Sequence, residues 1–196
     1  MSFSYYKVST TDITTISAVD TVNTAGTLYP VSSVKGSPKS ITLCNRDDSG
    51  DNCTIDLFIV SQFGSDITDT GTNANEADNY TTSSSVTLTV DGTAATTDTF
   101  ANEKVWKSDG TLFGTCTARN SNTEIVFGGG LSQTLSDNAD LYTGTRYYLL
   151  HDVVIPGGST LLLEQPELSY DSTIYALKFK LTSVSGTQLV DIKVEY

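Results

Sequence analysis

Ile174-Tyr-Ala-Leu-Lys-Phe-Lys-Leu181 decides the fold class. Successive side chains of a strand point to opposite faces, so this stretch puts Tyr175, Leu177, Phe179 and Leu181 on one side and Ala176, Lys178 and Lys180 on the other. One face is expected to pack and the other to meet water. Outward from it, the same two-residue period or a short apolar run recurs in Thr27–Val34, Ser40–Cys44, Cys53–Ser61, Ser85–Val90, Thr111–Thr117, Thr123–Phe127, Arg146–Ile155, Ser159–Glu164 and Gln188–Glu195. Turn chemistry separates them: Asn45-Arg-Asp-Asp-Ser-Gly-Asp-Asn52 reads as a hairpin tip and Pro156-Gly157-Gly158 as a tight turn. No segment reads as a helix, and no repeat period is visible. The pattern predicts an all-β chain, an antiparallel two-sheet sandwich of the Greek-key or jelly-roll kind, as a single domain over residues 1–196.

Composition agrees. The chain has 196 residues, 38% of them apolar, enough to build a core. Ser and Thr make up about a quarter of it, which favours strands and turns over helices. A formal charge of -12 speaks against binding a phosphate backbone, because that affinity comes from Lys and Arg displacing counterions. Nucleic acid is therefore not an expected partner. The N-terminal stretch lacks the apolar run of an export signal, and no uninterrupted apolar stretch is long enough to span a membrane. Cys44, Cys53 and Cys116 are odd in number and lack CxxC spacing, which fits reduced thiols. Alternation puts Cys53 on the face of Ile55, Leu57 and Ile59 and turns Cys44 away from the face of Ile41 and Leu43.

The charge is unevenly distributed. Between Arg46 and Lys104 there is no basic residue, whereas Asp47, Asp48, Asp51, Asp56, Asp66, Asp69, Glu76, Asp78, Asp91, Asp98 and Glu103 are all acids. Residues 64–85 also have few large apolar side chains and read as a solvated excursion. The long acidic insertion is expected over residues 64–122, its part from 91 onward either carrying strands of its own or being a distorted piece of the sandwich.

Candidate sites are few. His151 beside Asp152 has the composition of a catalytic pair, but neighbours on a regular strand face opposite ways, and no Ser sits on a strand-to-helix elbow. An enzyme is not expected, nor a cofactor. Asp47, Asp48 and Asp51 concentrate hard oxygen ligands, yet their Gly and acid offsets are not those of a calcium loop, so a solvated hairpin tip is preferred to a metal site. Among the aromatics, Tyr5, Tyr6, Trp106, Tyr147 and Tyr148 are candidates for an exposed contact surface, and His151 for a half-buried or interface position.

The run Tyr147-Tyr-Leu-Leu-His-Asp-Val-Val-Ile-Pro-Gly-Gly-Ser-Thr-Leu-Leu-Leu-Glu164, with Leu168–Leu181 and Val190–Val194, resembles small β-sandwich virion proteins of tailed bacteriophages. Leu28-Tyr-Pro, Ser40–Asn45 and Thr54–Ile59 look like the first half of the same pattern. The resemblance implies a virion protein made in the host cytoplasm: a capsid decoration or cement protein that binds the major capsid protein and bridges its subunits. A tail, baseplate or fibre component that binds a receptor or carbohydrate is the alternative. It also implies a homo-oligomer, with a trimer favoured at three-fold positions of a shell, and it carries over no catalytic residue.

Overall fold

A computed structural model of the chain describes residues 3–9, 26–29, 32–33, 35–47, 49–75, 85–92, 100, 102–121, 123–184 and 189–196. Among these there are strands and turns and no helix. The strands are β1 (Phe3–Ser9), β2 (Gly26–Tyr29), β3 (Ser40–Asn45), β4 (Cys53–Ser61), β5 (Ile67–Ala74), β6 (Val86–Gly92), β7 (Lys104–Trp106), β8 (Leu112–Thr115), β9 (Ala118–Ser121), β10 (Glu124–Phe127), β11 (Asp140–Gly144), β12 (Arg146–Ile155), β13 (Thr160–Glu164), β14 (Tyr175–Val184) and β15 (Leu189–Glu195). Their described pairings are antiparallel. The chain divides into two compact units, one made of Met1–Val60 with Arg146–Tyr196 and the other of Ser61–Thr145.

The first unit holds two four-stranded sheets, in the orders β1-β15-β3-β13 and β12-β4-β14-β2. Alternation dictates what each strand buries. In β3, Ile41, Leu43 and Asn45 are buried while Ser40, Thr42 and Cys44 are only partly so. Ile41 and Leu43, Val190, Ile192 and Val194 of the first sheet join Leu28, Cys53, Ile55, Leu57, Leu177, Phe179 and Leu181 of the second in one hydrophobic cluster. Each large side chain removed from water there contributes about 1.5–3 kcal/mol before its ordering is counted.

The outer row of β14 departs from expectation. Ala176 and Lys178 were expected to meet water, but they are only 4% and 2% exposed, and Ala176 packs with Phe58 and Val60 in a separate cluster. Neighbouring side chains shield this row: β14 lies beside β4, which is buried along nearly its whole length and presents Phe58 and Val60 to Ala176.

Two loops tie the ends of this unit's strands. The Ser159 N–H donates to the Pro156 carbonyl at 3.0 Å, closing the expected turn, and Gly158 takes a left-handed φ of 70°. A side chain on Gly157 would lie 2.7 Å from the Gly50 backbone, so only glycine lets this turn meet the hairpin tip. Buried Asn45 donates through Nδ2 to the carbonyls of Asp51 (2.9 Å) and Ile155 (3.0 Å), fixing where β4 starts and β12 stops.

The second unit is one seven-stranded sheet, ordered β8-β7-β11-β5-β6-β10-β9. Phe113, Val105, Leu141, Ala74, Leu88, Val90, Ile125 and Phe127, drawn from strands across that order, share one cluster with Phe100, Cys116, Leu131 and Leu135. The sheet must therefore curl. Gly114 of β8 shows this directly, since a Cβ there would lie 3.1 Å from the Phe127 ring of β10. Residues 64–85 were read as a solvated excursion, yet Ile67–Ala74 is a strand paired on both sides, with Thr72 and Ala74 buried. A Thr-rich strand needs only small inward side chains when its neighbours supply the large ones. Residues 76–84 lie outside the described residues. The compact unit spans Ser61–Thr145, where the sequence had marked 64–122.

Candidate functional site on a bulged edge strand

β12 is the edge strand of its sheet and pairs only with β4. The register runs Tyr148↔Phe58, Leu150↔Leu57 and Val153↔Ile55. Each of these steps advances one residue further on β12 than on β4, so β12 carries two bulges, one around Leu149 and one at His151 and Asp152. Both residues of the second bulge oppose Asp56. Asp152 is left-handed, at φ 51°, a conformation that Asp tolerates better than most residues.

This bulge builds the site. The Asp152 N–H donates to Asp56 Oδ1 at 2.8 Å, and His151 Nδ1 donates to the same oxygen at 3.0 Å. His151 Nε2 lies 3.6 Å from Asp152 Oδ2, an ion-pair distance too long for a hydrogen bond. The Asp56 side chain is 4% exposed, whereas those of His151 and Asp152 are 59% and 66% exposed. A carboxylate so buried is costly unless bonded, and these two donors offset part of that cost. Strand alternation was expected to keep His151 and Asp152 apart. The bulge breaks that alternation and brings both to Asp56.

Aromatic rings surround the cluster. The Tyr148 ring centroid is 4.4 Å from that of His151 and 5.5 Å from that of Phe58, and the Arg146 guanidinium lies 5.0 Å from the Phe58 ring. Tyr147 meets Tyr175 edge-on at 5.7 Å. Tyr147 and Tyr148 are each 46% exposed.

The other sequence candidates lie elsewhere. Trp106, considered for an exposed surface, is 7% exposed; it is in the second unit, with Lys104 Nζ 5.7 Å from its ring. Tyr5 and Tyr6 are in β1, opposite Lys193 and Ile192. Asp48 lies outside the described residues. Asp47 accepts from the N–H and hydroxyl of Ser49, which hold its carboxyl below the usual carboxylate range. Its oxygens serve the turn. Asp51 accepts from the same Ser49 hydroxyl at 3.3 Å.

Asp56, His151 and Asp152 each offer one ligand atom within 4.8 Å of the others, the one such His, Cys, Asp or Glu group among the described residues. Sequence reasoning weighed His151 and missed Asp56. The signal was present: Asp56 is the lone acid inside the apolar run Ile55-Asp-Leu-Phe-Ile-Val60. Chemically, the buried carboxylate orients the imidazole as in the orienting half of a catalytic triad, but Nε2 faces the carboxylate of Asp152 where a nucleophile's hydroxyl would have to sit. No protein family, curated protein or solved structure matches the chain.

Proposed function

We propose that the chain is a virion structural protein that acts by binding, most simply a capsid decoration or cement protein whose first unit makes the attachment. The observation that carries this reading is the strand order. Numbered along the first unit alone, its eight strands run 1-8-3-6 in one sheet and 2-7-4-5 in the other. An eight-strand antiparallel ribbon that is folded in half pairs 1 with 8, 2 with 7, 3 with 6 and 4 with 5. Rolling it up sends alternate pairs to two facing sheets, which yields this order. The jelly-roll sandwich is such a roll, and it recurs in viral capsid proteins and lectins. The cluster shared by the two sheets supports the sandwich. Fold alone does not assign a role; the virion setting comes from the resemblance carried by Tyr147–Glu164 and Leu168–Leu181.

The attachment surface on this reading is formed by two of the four edge strands, β12 and β13. They carry Tyr147, Tyr148, Val154 and Leu162, four of the most exposed large apolar side chains among the described residues. Each copy would bridge neighbouring capsid subunits, and repetition over a shell makes modest contacts collectively strong. A cyclic homotrimer fits three-fold positions. A tail or fibre component that binds carbohydrate is the second reading. It is favoured by a half-exposed Tyr148 ring against His151, whose neighbour Asp152 offers an exposed carboxylate, since sugars stack on rings and donate to carboxylates.

Counting copies per purified virus particle separates the readings. Hundreds of copies support the shell, a few tens support the tail, and absence from the particle overturns both.

A further inference from the structure

We infer that Asp56, His151 and Asp152 form a binding site for a first-row divalent transition ion, with Zn²⁺ as its natural test ligand. The inference is independent of the virion reading. Three observations converge. First, the donor set is mixed: one imidazole and two carboxylates, with ligand atoms already within 4.8 Å of one another. Ions of the calcium class take six to eight oxygens, whereas an imidazole with carboxylates suits zinc, nickel or copper.

Second, the distances suit substitution of a metal for a proton. His151 Nδ1 and Asp56 Oδ1 are 3.0 Å apart and share one hydrogen. Metal–ligand bonds of about 2.0–2.2 Å require neighbouring donors about 3 Å apart, so an ion taking the place of that hydrogen needs little movement of either group. The Nδ1 hydrogen gives way to the ion: an imidazolium releases that proton to solvent and keeps the one on Nε2, whereas a neutral ring moves its hydrogen to Nε2 with no net release. Asp152 Oδ2 rests nearer Nε2, at 3.6 Å, so this two-thirds exposed side chain supplies the third ligand by rotating toward Nδ1, within the 4.8 Å span of the group.

Third, Asp56 is a carboxylate whose side chain is 96% buried by complement of its 4% exposure, and both of its described hydrogen bonds go to Oδ1. A buried acid in an apolar strand with an imidazole beside it has a reason to be there if a cation shares its carboxylate.

The test titrates the untagged full chain with Zn²⁺, with Ca²⁺ as the contrast, by calorimetry and by the shift in melting temperature. His151 is the chain's single histidine, so a purification tag must be absent. One Zn²⁺ per chain, a rise in melting temperature, and at least a tenfold loss of affinity in both His151→Gln and Asp152→Asn are expected. Both side chains are exposed, and melting of the metal-free variants checks their folding. Absence of Zn²⁺ binding, affinity unchanged in the two folded variants, or equal binding of Ca²⁺ would each overturn the inference.

Discussion

At the scale of single residues, two aspartates do opposite things with the same chemistry. Asp171 is a surface acid that takes the N–H (3.0 Å) and hydroxyl (2.6 Å) of Thr173 and pairs with Lys35 at 3.1 Å. The Thr173 hydrogen bonds and then Lys35 lower its pKa to about 2. Since the folded pKa lies below the unfolded value near 3.8, this group stabilises the fold above that unfolded value. The contribution is lost as pH falls through about 2. An NMR titration of the Asp171 carboxyl carbon should show its midpoint well below that of an unfolded control, and Thr173→Val should move the midpoint upward. Asp152 instead spends backbone energy. Its φ of 51° is reached by glycine without strain and by a β-branched residue only at a cost of about 1–2 kcal/mol. In urea denaturation, Asp152→Gly should therefore be close to neutral while Asp152→Val is clearly destabilising; equal effects would mean that the bulge relaxes freely.

At the scale of strands, alternation was legible wherever the ladder is regular. In β14 it picked out Leu177, Phe179 and Leu181 correctly as core, and in β3 it turned Cys44 away from Ile41 and Leu43. It misjudged Ala176 and Lys178, because a period reports which residues share a face and not whether that face is covered. It also failed at β12, where two bulges reset the register in a run that looks uniform by hydropathy. The local sequence offers no glycine there to announce the break, and the partner that explains the bulge, Asp56, is 95 positions away. Register makes a prediction about thiols too. The three cysteines are free; Cys53 and Cys116 are buried, and burial pushes both thiols up to about 11, whereas Cys44 sits half-buried on the outer row of β3. Thiolate is the reacting species, so at pH 8 a thiol reagent should label Cys44 first in the native protein and the other two only on unfolding. Rapid labelling of Cys53 in the folded chain would contradict its placement in the cluster.

At the scale of the molecule, the acidic stretch is divided between two bodies. Asp56 is buried in the first unit and Glu103, 1% exposed, in the second, so the acids between Arg46 and Lys104 are not uniformly wet. The desolvation of Asp56 is offset locally, by the donors that the bulge brings to it. The second unit has its own cluster, and the chain leaves and re-enters the first through neighbouring residues: Val60 and Arg146 are register partners, and on the other side of that crossing the Ser61 N–H donates to the Thr145 carbonyl at 3.0 Å. An antiparallel pair needs only a two-residue turn to close it. Replacing residues 61–145 with Asn-Gly should therefore leave a chain in which β4 and β12 form a simple hairpin and the shared cluster of the two four-stranded sheets is intact. Residues 66–84 are a poorer choice for deletion, because β5 lies inside the seven-stranded sheet. The shortened chain should be soluble, unfold cooperatively in urea, and keep the near-ultraviolet circular dichroism of packed tyrosines. The sole tryptophan, Trp106, leaves with the second unit, so its fluorescence in the full chain reports that unit alone. If the shortened chain has strand content but no near-ultraviolet signal and no cooperative transition, the first unit does not fold without the second. Attachment by the sandwich alone would then have to be abandoned along with the excision.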